Sequence, residues 1–321
     1  MMWVINTIRE YPRQLDGEIN FATERKMTIV FPGFAADQIN AFVCGATPAR
    51  RWAIECEWGE VSLASGPQAA AFRQDQAEAK ISIWKEALFA ADILLLHASP
   101  VFYGLGVPRG DGSAVVLIPG FLGSDAYLGQ FHIWLERIGY KPYYSGIGVN
   151  AECPNLLIQR KLNACIDRAR AETGRKVHLV GHSLGGMIAR SMAGQRPSDI
   201  ASVTTLAAPF RGTVAHRTVL LAAEVVRGYI LRRHGSQVLP MCYTARCTCN
   251  FLDSLRRDVS DSVMETAIYT RTDGIVDWHY CLTGQEGCDF EVPGTHIGLA
   301  FNASVYAIVA NRLAQVELQK R

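Results

Sequence analysis

From Ser113 to the C-terminus, short apolar runs alternate with longer amphipathic stretches, and no other feature of this sequence limits the fold as much. A run that is apolar throughout suits a strand buried on both faces. A long amphipathic stretch between two such runs suits the helix that carries the chain back for a parallel pairing. Ala114 to Ile118, Lys141 to Tyr144, Val177 to Val180, Ile200 to Leu206, Thr266 to Thr270 and Asp289 to Val292 read as strands. Asp125 to Ile138, stopped by Gly139, Pro154 to Glu172, stopped by Gly174, and Ala303 to Leu318 read as helices. The expected fold class is α/β, with a mostly parallel central sheet flanked by helices.

The run Val177 to Val180 leads straight into Gly181-His182-Ser183-Leu184-Gly185, and small, helix-compatible residues follow. This is G-x-S-x-G in the strand-to-helix setting that gives the pattern meaning. A serine on so tight a turn holds a strained backbone, and the residues two before and two after it must lack side chains that would collide. The turn lifts the hydroxyl above the sheet and aims it at a helix N-terminus, whose free N–H groups stabilise negative charge. Ser183 is the expected nucleophile.

A serine hydroxyl is a weak nucleophile near neutral pH and needs a base, itself held in the right tautomer by an acid. In this setting the acid and then the base follow the serine in the chain. Of eight histidines, only His279 and His296 come late enough. His279, in Asp277-Trp278-His279, lies too close to the strand that should deliver the acid to approach from a separate loop. His296 sits in the glycine-rich Gly294-Thr295-His296-Ile297-Gly298 after the last strand and is the better base. Asp273 is the first carboxylate beyond the strand Thr266 to Thr270, whereas Asp277 lies past the apolar pair Ile275-Val276. Asp273 is favoured as the acid, and a solvated turn aspartate is the alternative for either. Two aligned N–H donors should hold the oxyanion: Leu184, the residue after the nucleophile, and Phe121 in Pro119-Gly120-Phe121-Leu122-Gly123. The echo Phe31-Pro32-Gly33-Phe34 lies too far upstream to serve.

Ile118-Pro119-Gly120-Phe121, Gly181-His182-Ser183-Leu184-Gly185-Gly186, the Asp273 loop and the His296 loop together resemble the bacterial α/β-hydrolase lipases and esterases, over about residues 110 to 320. The resemblance implies an α/β-hydrolase fold, the triad Ser183, Asp273 and His296, oxyanion donors at Phe121 and Leu184, and cleavage of carboxylic esters of apolar substrates. Thioesterases and acyltransferases share this elbow and stay open as alternatives, as does a noncatalytic binding module on the same scaffold. A histidine often stands beside the first loop's glycine in the family; here it is Pro119. Dehalogenase and epoxide-hydrolase chemistry need a carboxylate where Ser183 stands.

Between the strands Ile200 to Leu206 and Thr266 to Thr270 lie about sixty residues that a simple crossover does not require. Residues 212–262, with their apolar helical piece Val219 to Leu231, are expected to form a cap; an ordinary surface hairpin is the alternative. Cys242, Cys247 and Cys249, with His234 upstream, have the ligand types for zinc, but C-x4-C-x-C is not the spacing of a zinc knuckle, and no metal or cofactor is expected. Cys281 and Cys288 would either bridge just ahead of the His296 loop or stay free thiols. Cys44, Cys56, Cys153 and Cys165 complete the nine cysteines.

With 32 basic and 30 acidic residues, no field favours nucleic acid as a partner. Residues 1–78 show no sustained period, carry several turn signals, and are set apart from a hydrolase domain over 79–321. Charges scattered through Met1 to Asn20 break any apolar signal core, so a cytoplasmic location is expected. Glu78 to Leu96 has a helical period. The greasy stretch Ala87 to Val107 carries Asp92, His97 and Pro100, which fits a buried helix or at most an interfacial one, not a span.

Overall fold

The strand Ala114–Ile118 (β1) is buried at every position, and the same holds for Val177–His182 (β3) and Ile200–Leu206 (β4). Lys141–Tyr144 (β2), Met264–Tyr269 (β5) and Asp289–Glu291 (β6) complete a six-stranded sheet in the order β6-β5-β4-β3-β1-β2. Every neighbouring pair in it is parallel. Because side chains alternate along a strand, the central strands β1, β3 and β4 each feed two cores. Val116, Ile118, Leu179 and Val203 pack on one face, against Ile166 and Ile188. Val115, Leu117, Val180 and Leu206 pack on the other, against Trp134 and Tyr306. Fully burying one such side chain stabilises the fold by about 1.5–3 kcal/mol.

In this computed structural model residues 68–73 and 75–318 are described, together with the backbone of four N-terminal strands. The chain forms two compact units, Met1–Gly66 and Pro67–Arg321. In the first unit Trp3–Ile8 pairs antiparallel with Arg25–Val30, and Tyr11–Leu15 with Glu18–Ala22. The Phe31-Pro32-Gly33-Phe34 echo, Cys44 and Cys56 lie outside the described residues.

The helices of the second unit are Phe89–Ala98 (α1), Gly129–Arg137 (α2), the run 154–173 (α3, with a π turn at Ile158–Leu162), Leu184–Gln195 (α4), Arg217–His234 (α5), Asn250–Arg256 (α6) and Ala303–Leu318 (α7). Gly174 ends α3 in the left-handed conformation that glycine adopts without strain. Two expectations need correction. The period over Glu78 to Leu96 gives a 3-10 turn at Ile83–Leu88 followed by α1, not one helix. The greasy stretch Ala87 to Val107 is not a buried helix either: Leu88, Leu94 and Leu95 are exposed, while Leu96 points inward. Among the described residues no helix is long and apolar enough to cross a membrane.

The insertion between β4 and β5 begins with a two-residue parallel pairing of Val214–Ala215 with Ala77–Glu78 and continues through α5 and α6. Beneath it, Arg190 of α4 is buried with Glu265 at the start of β5, at 2.6 Å, and also donates to the carbonyl oxygens of Leu255 and Arg257. A buried cation so fully engaged ties α4, α6 and β5 into one body.

Candidate active site

Ser183 joins β3 to α4 with φ 53° and ψ −122°, a conformation that non-glycine residues hold only when their surroundings fix it. Its amide donates to Leu206 O at 2.7 Å, and its carbonyl accepts from the amides of Gly186 and Met187. The flanking glycines answer to close backbone approach. A Cβ at Gly181 would collide with the Gly185 carbonyl, one at Gly185 with the carbonyls of Ile118 and Pro119, and one at Gly186 would stand 2.6 Å from Ala208 Cβ. The strand ends and the helix begins within one turn because nothing but hydrogen fits between them.

The second half of the site comes from the loops after β5 and β6. His296 Nδ1 meets Asp273 Oδ2 at 2.8 Å, with both side chains buried. Asp273 Oδ1 accepts from the amides of Ile275 at 2.8 Å and Val276 at 2.7 Å, so the carboxylate is oriented by its own loop. Burial alone would depress the His296 pKa. The charge and hydrogen bond of Asp273, joined by the charge of Glu86, outweigh burial and leave the ring above its ordinary value. Asp277 turns to its neighbour instead, accepting from the His279 ring at 2.7 Å, and that ring is half exposed. The structure thus brings Asp273 and His296 together and leaves Asp277 and His279 as a separate surface pair.

Ser183, His296, Phe121 and Leu184 all line one cavity of about 460 Å³, whose walls include Leu122, Tyr127, Met187, Val219, Leu220 and Tyr243. In the first loop the amides of Leu122 and Gly123 are engaged by the carbonyls of Asn150 and Gly120, each at 2.9 Å, and Leu122 is held at φ 59°. Under the serine, His182 Nε2 bonds the carbonyl of His296 at 2.8 Å, so that nitrogen carries the proton. Burial, with His296 beside it, drives the His182 pKa down to about 3 and keeps that ring neutral.

Glu86 is the residue that sequence reasoning missed. From the 3-10 turn ahead of α1 it accepts hydrogen bonds from the amides of Gly274, His296 and Ile297. A lone acid within the apolar text Ile83-Trp84-Lys85-Glu86-Ala87-Leu88 was its one signal.

Of the residues considered for zinc, His234 pairs with Glu152 at 2.8 Å, and among the described residues no three of His, Cys, Asp and Glu are arranged to hold a metal ion. Cys242 faces Cys153 instead, and a hydrogen bond between the two thiols pulls the Cys153 pKa down to about 7 and pushes that of Cys242 up. All seven described cysteines are free thiols. Cys281 and Cys288 are therefore unbridged: the first is packed with Tyr269, Val276 and Leu282, the second faces Gln285.

Residues 114–223 match the family model described as the alpha/beta hydrolase fold. The chain has that fold. A triacylglycerol lipase from Burkholderia plantarii is 31% identical over 129 residues, 37% of this chain and 36% of that protein. A second, from Pseudarthrobacter phenanthrenivorans, is 33% identical over 108 residues, 31% of this chain and 34% of that protein. The matched stretch thus spans about a third of these relatives. Among solved structures, one reported for the lipolytic enzymes LipS and LipT aligns with a TM-score of 0.45 at 16% identity, covering 66% of this chain and 96% of that one. A monoacylglycerol lipase from Paleococcus ferrophilus aligns at 0.42 and 14%, covering 64% and 97%.

Proposed function

We propose that this protein is a serine hydrolase that cleaves carboxylic esters of apolar substrates through an acyl-enzyme. One observation carries the reading: a strained serine at a helix N-terminus and the histidine of a buried histidine–aspartate pair line the same largely apolar cavity. In the proposed reaction Ser183 Oγ attacks the ester carbonyl carbon while His296 Nε2 takes its proton. The amides of Phe121 and Leu184 hold the developing oxyanion, and Asp273 stabilises the imidazolium. The carbon–oxygen bond to the alcohol breaks, and the alcohol leaves with the proton from His296. Water then repeats the sequence on the acyl-enzyme and frees the acid.

In this reading residues 212–262 are a cap that shapes the acyl side of the cavity. The exposed Leu122, Leu221 and Val225 support contact with a lipid-like substrate. A series of p-nitrophenyl esters of rising chain length is the test, run beside a fluorophosphonate probe whose adduct is mapped by mass. Hydrolysis and an adduct on Ser183 are expected, both lost in Ser183→Ala. A folded protein that neither labels nor turns over would leave only a binding module. An acyl-alcohol product formed in preference to free acid would make it a transferase.

A further inference from the structure

The acid loop after β5 and the base loop after β6 both end on one buried carboxylate. Glu86 Oε1 accepts from the amide of Gly274, next to Asp273, at 2.8 Å, and from the amide of His296 itself at 3.1 Å. Glu86 Oε2 accepts from the amide of Ile297 at 2.8 Å. The residue is only 5% exposed, so its charge must be compensated inside the protein, and these three N–H groups do so. Contact with the acid loop is close: a Cβ at Gly274 would lie 2.7 Å from Ser82 O and 2.8 Å from Glu86 Oε1. Further along α1, Asp92 accepts from Thr295 Oγ1 at 3.4 Å, so the same segment touches the base loop twice.

We infer that Glu86 is a positioning residue: its carboxylate fastens the acid loop to the base loop and sets the geometry in which Asp273 presents His296 to Ser183. The inference rests on the hydrolase reading above. The Thr270 and Thr272 hydroxyls also tie the two loops, donating to Gly294 O at 3.0 and 2.6 Å, but Glu86 accepts from the amide of His296 itself and from the amide next to Asp273, and a displacement of about 1 Å between reacting groups can lower a rate about 100-fold. Glu86 does not line the cavity, so it acts on the triad and not on the substrate. Its charge has a second consequence. The groups around His296 are Asp273, Glu86, the neutral His182 ring at 4.9 Å and Tyr127, whose hydroxyl donates to Ile297 O at 2.7 Å. Of these, only the two carboxylates favour the imidazolium.

Two substitutions separate reach from charge. Glu86→Gln keeps the shape but loses the charge and turns an NH2 group toward an N–H donor. Glu86→Asp keeps the charge but is one methylene too short to serve both loops. Glu86→Gln is expected to lower kcat about 10- to 100-fold, to leave KM within about twofold, and to move the acid limb of the pH profile to lower pH. Glu86→Asp should lower kcat as well but leave the acid limb near its wild-type position. Lys85→Gln, exposed on the same turn, serves as the control with unchanged turnover. Wild-type kcat and an unmoved limb in Glu86→Gln would overturn the inference. So would a loss of thermal stability in both variants with no change in kcat per folded molecule, or failure of both to fold, since each makes Glu86 a structural clamp alone. Hydrolysis that survives Ser183→Ala is a separate outcome, which brings down the hydrolase reading beneath it.

Discussion

Around Ser183, the consecutive residues 181 to 186 make the whole turn, and neighbouring backbone leaves no room for it to change. Around His296, the site is assembled from the loops after β5 and β6 and from the turn carrying Glu86, which lies 210 residues earlier in the chain. Steric exclusion within a strand-turn-helix unit shapes the first region. Hydrogen bonds to two buried carboxylates, Asp273 and Glu86, shape the second. The contrast teaches where each half can fail. The serine half breaks when an atom is added, the acid–base half when an acceptor or a charge is removed.

The largest effect should come from deleting the groups proposed to react. Ser183→Ala and His296→Ala should each lower kcat by about 10⁴- to 10⁶-fold, and the double variant should be little worse than either, because the groups act as a unit. Single-turnover and steady-state rates for the three variants check this. Additive losses would show that the two residues do not share one step.

Next come the two aspartates. Asp273→Asn should lower kcat by about 10⁴-fold, since the amide favours the wrong tautomer of His296. Asp277→Asn should leave turnover close to wild type, because its partner is the half-exposed His279. The sign of the pH dependence follows from the ring. Only neutral His296 accepts a proton, so activity rises as pH climbs through its pKa. In the wild type that midpoint should lie above the ordinary value of about 6.5, because Asp273 and Glu86 raise it. Residual activity in Asp273→Asn should have its midpoint shifted down. A dead Asp277→Asn beside a live Asp273→Asn would move the acid to the other pair.

On the serine side the matching experiment adds an atom. Gly185→Ala places a Cβ against the carbonyls of Ile118 and Pro119, and neither is a side chain that can swing away. It should cost about 3 kcal/mol of stability and most of the activity, read by denaturant melts and turnover. A stable, active variant would show that the elbow has slack the contacts do not suggest.

How far the sequence revealed each region follows from the same contrast. Glycines forced by backbone contact leave a local signature, so the elbow could be read from Gly181 to Gly186 alone. The pairing of Asp273 with His296 was legible from chain order and from the strands preceding each loop. Glu86 was not, because its partners are backbone amides, which any residue carries, and because they lie far away in the chain. The same turn misled in another way. Ala87 to Val107, which begins in it, read as a buried helix, but Leu88, Leu94 and Leu95 face solvent while the acid Glu86 just ahead of that stretch points inward. Periodicity reports that a face exists, not what covers it.

The smallest expected effect concerns Cys281 and Cys288, separated by the six residues 282–287 and close to the His296 loop in sequence, for which a bridge was one of two readings. Their packing separates them. Cys281 is 1% exposed beneath the acid loop, among Ala215, Tyr269, Val276 and Leu282, while Cys288 sits at the approach to β6, facing Gln285 and only partly buried. Burial, followed by the charges of Asp273 and Asp277, raises the Cys281 pKa well above that of a free thiol, so little thiolate is present to react. A bridge closing so short a loop would have its loss felt as a lower melting temperature. With two thiols, reductant should change neither melting temperature nor turnover. Alkylation of the native protein should modify Cys288 well before Cys281, which should react only once the chain is unfolded. A peptide map that recovers the two residues linked, together with activity that falls on reduction, would mean that the acid–base half is covalently stapled and does not depend on Asp273 and Glu86 alone.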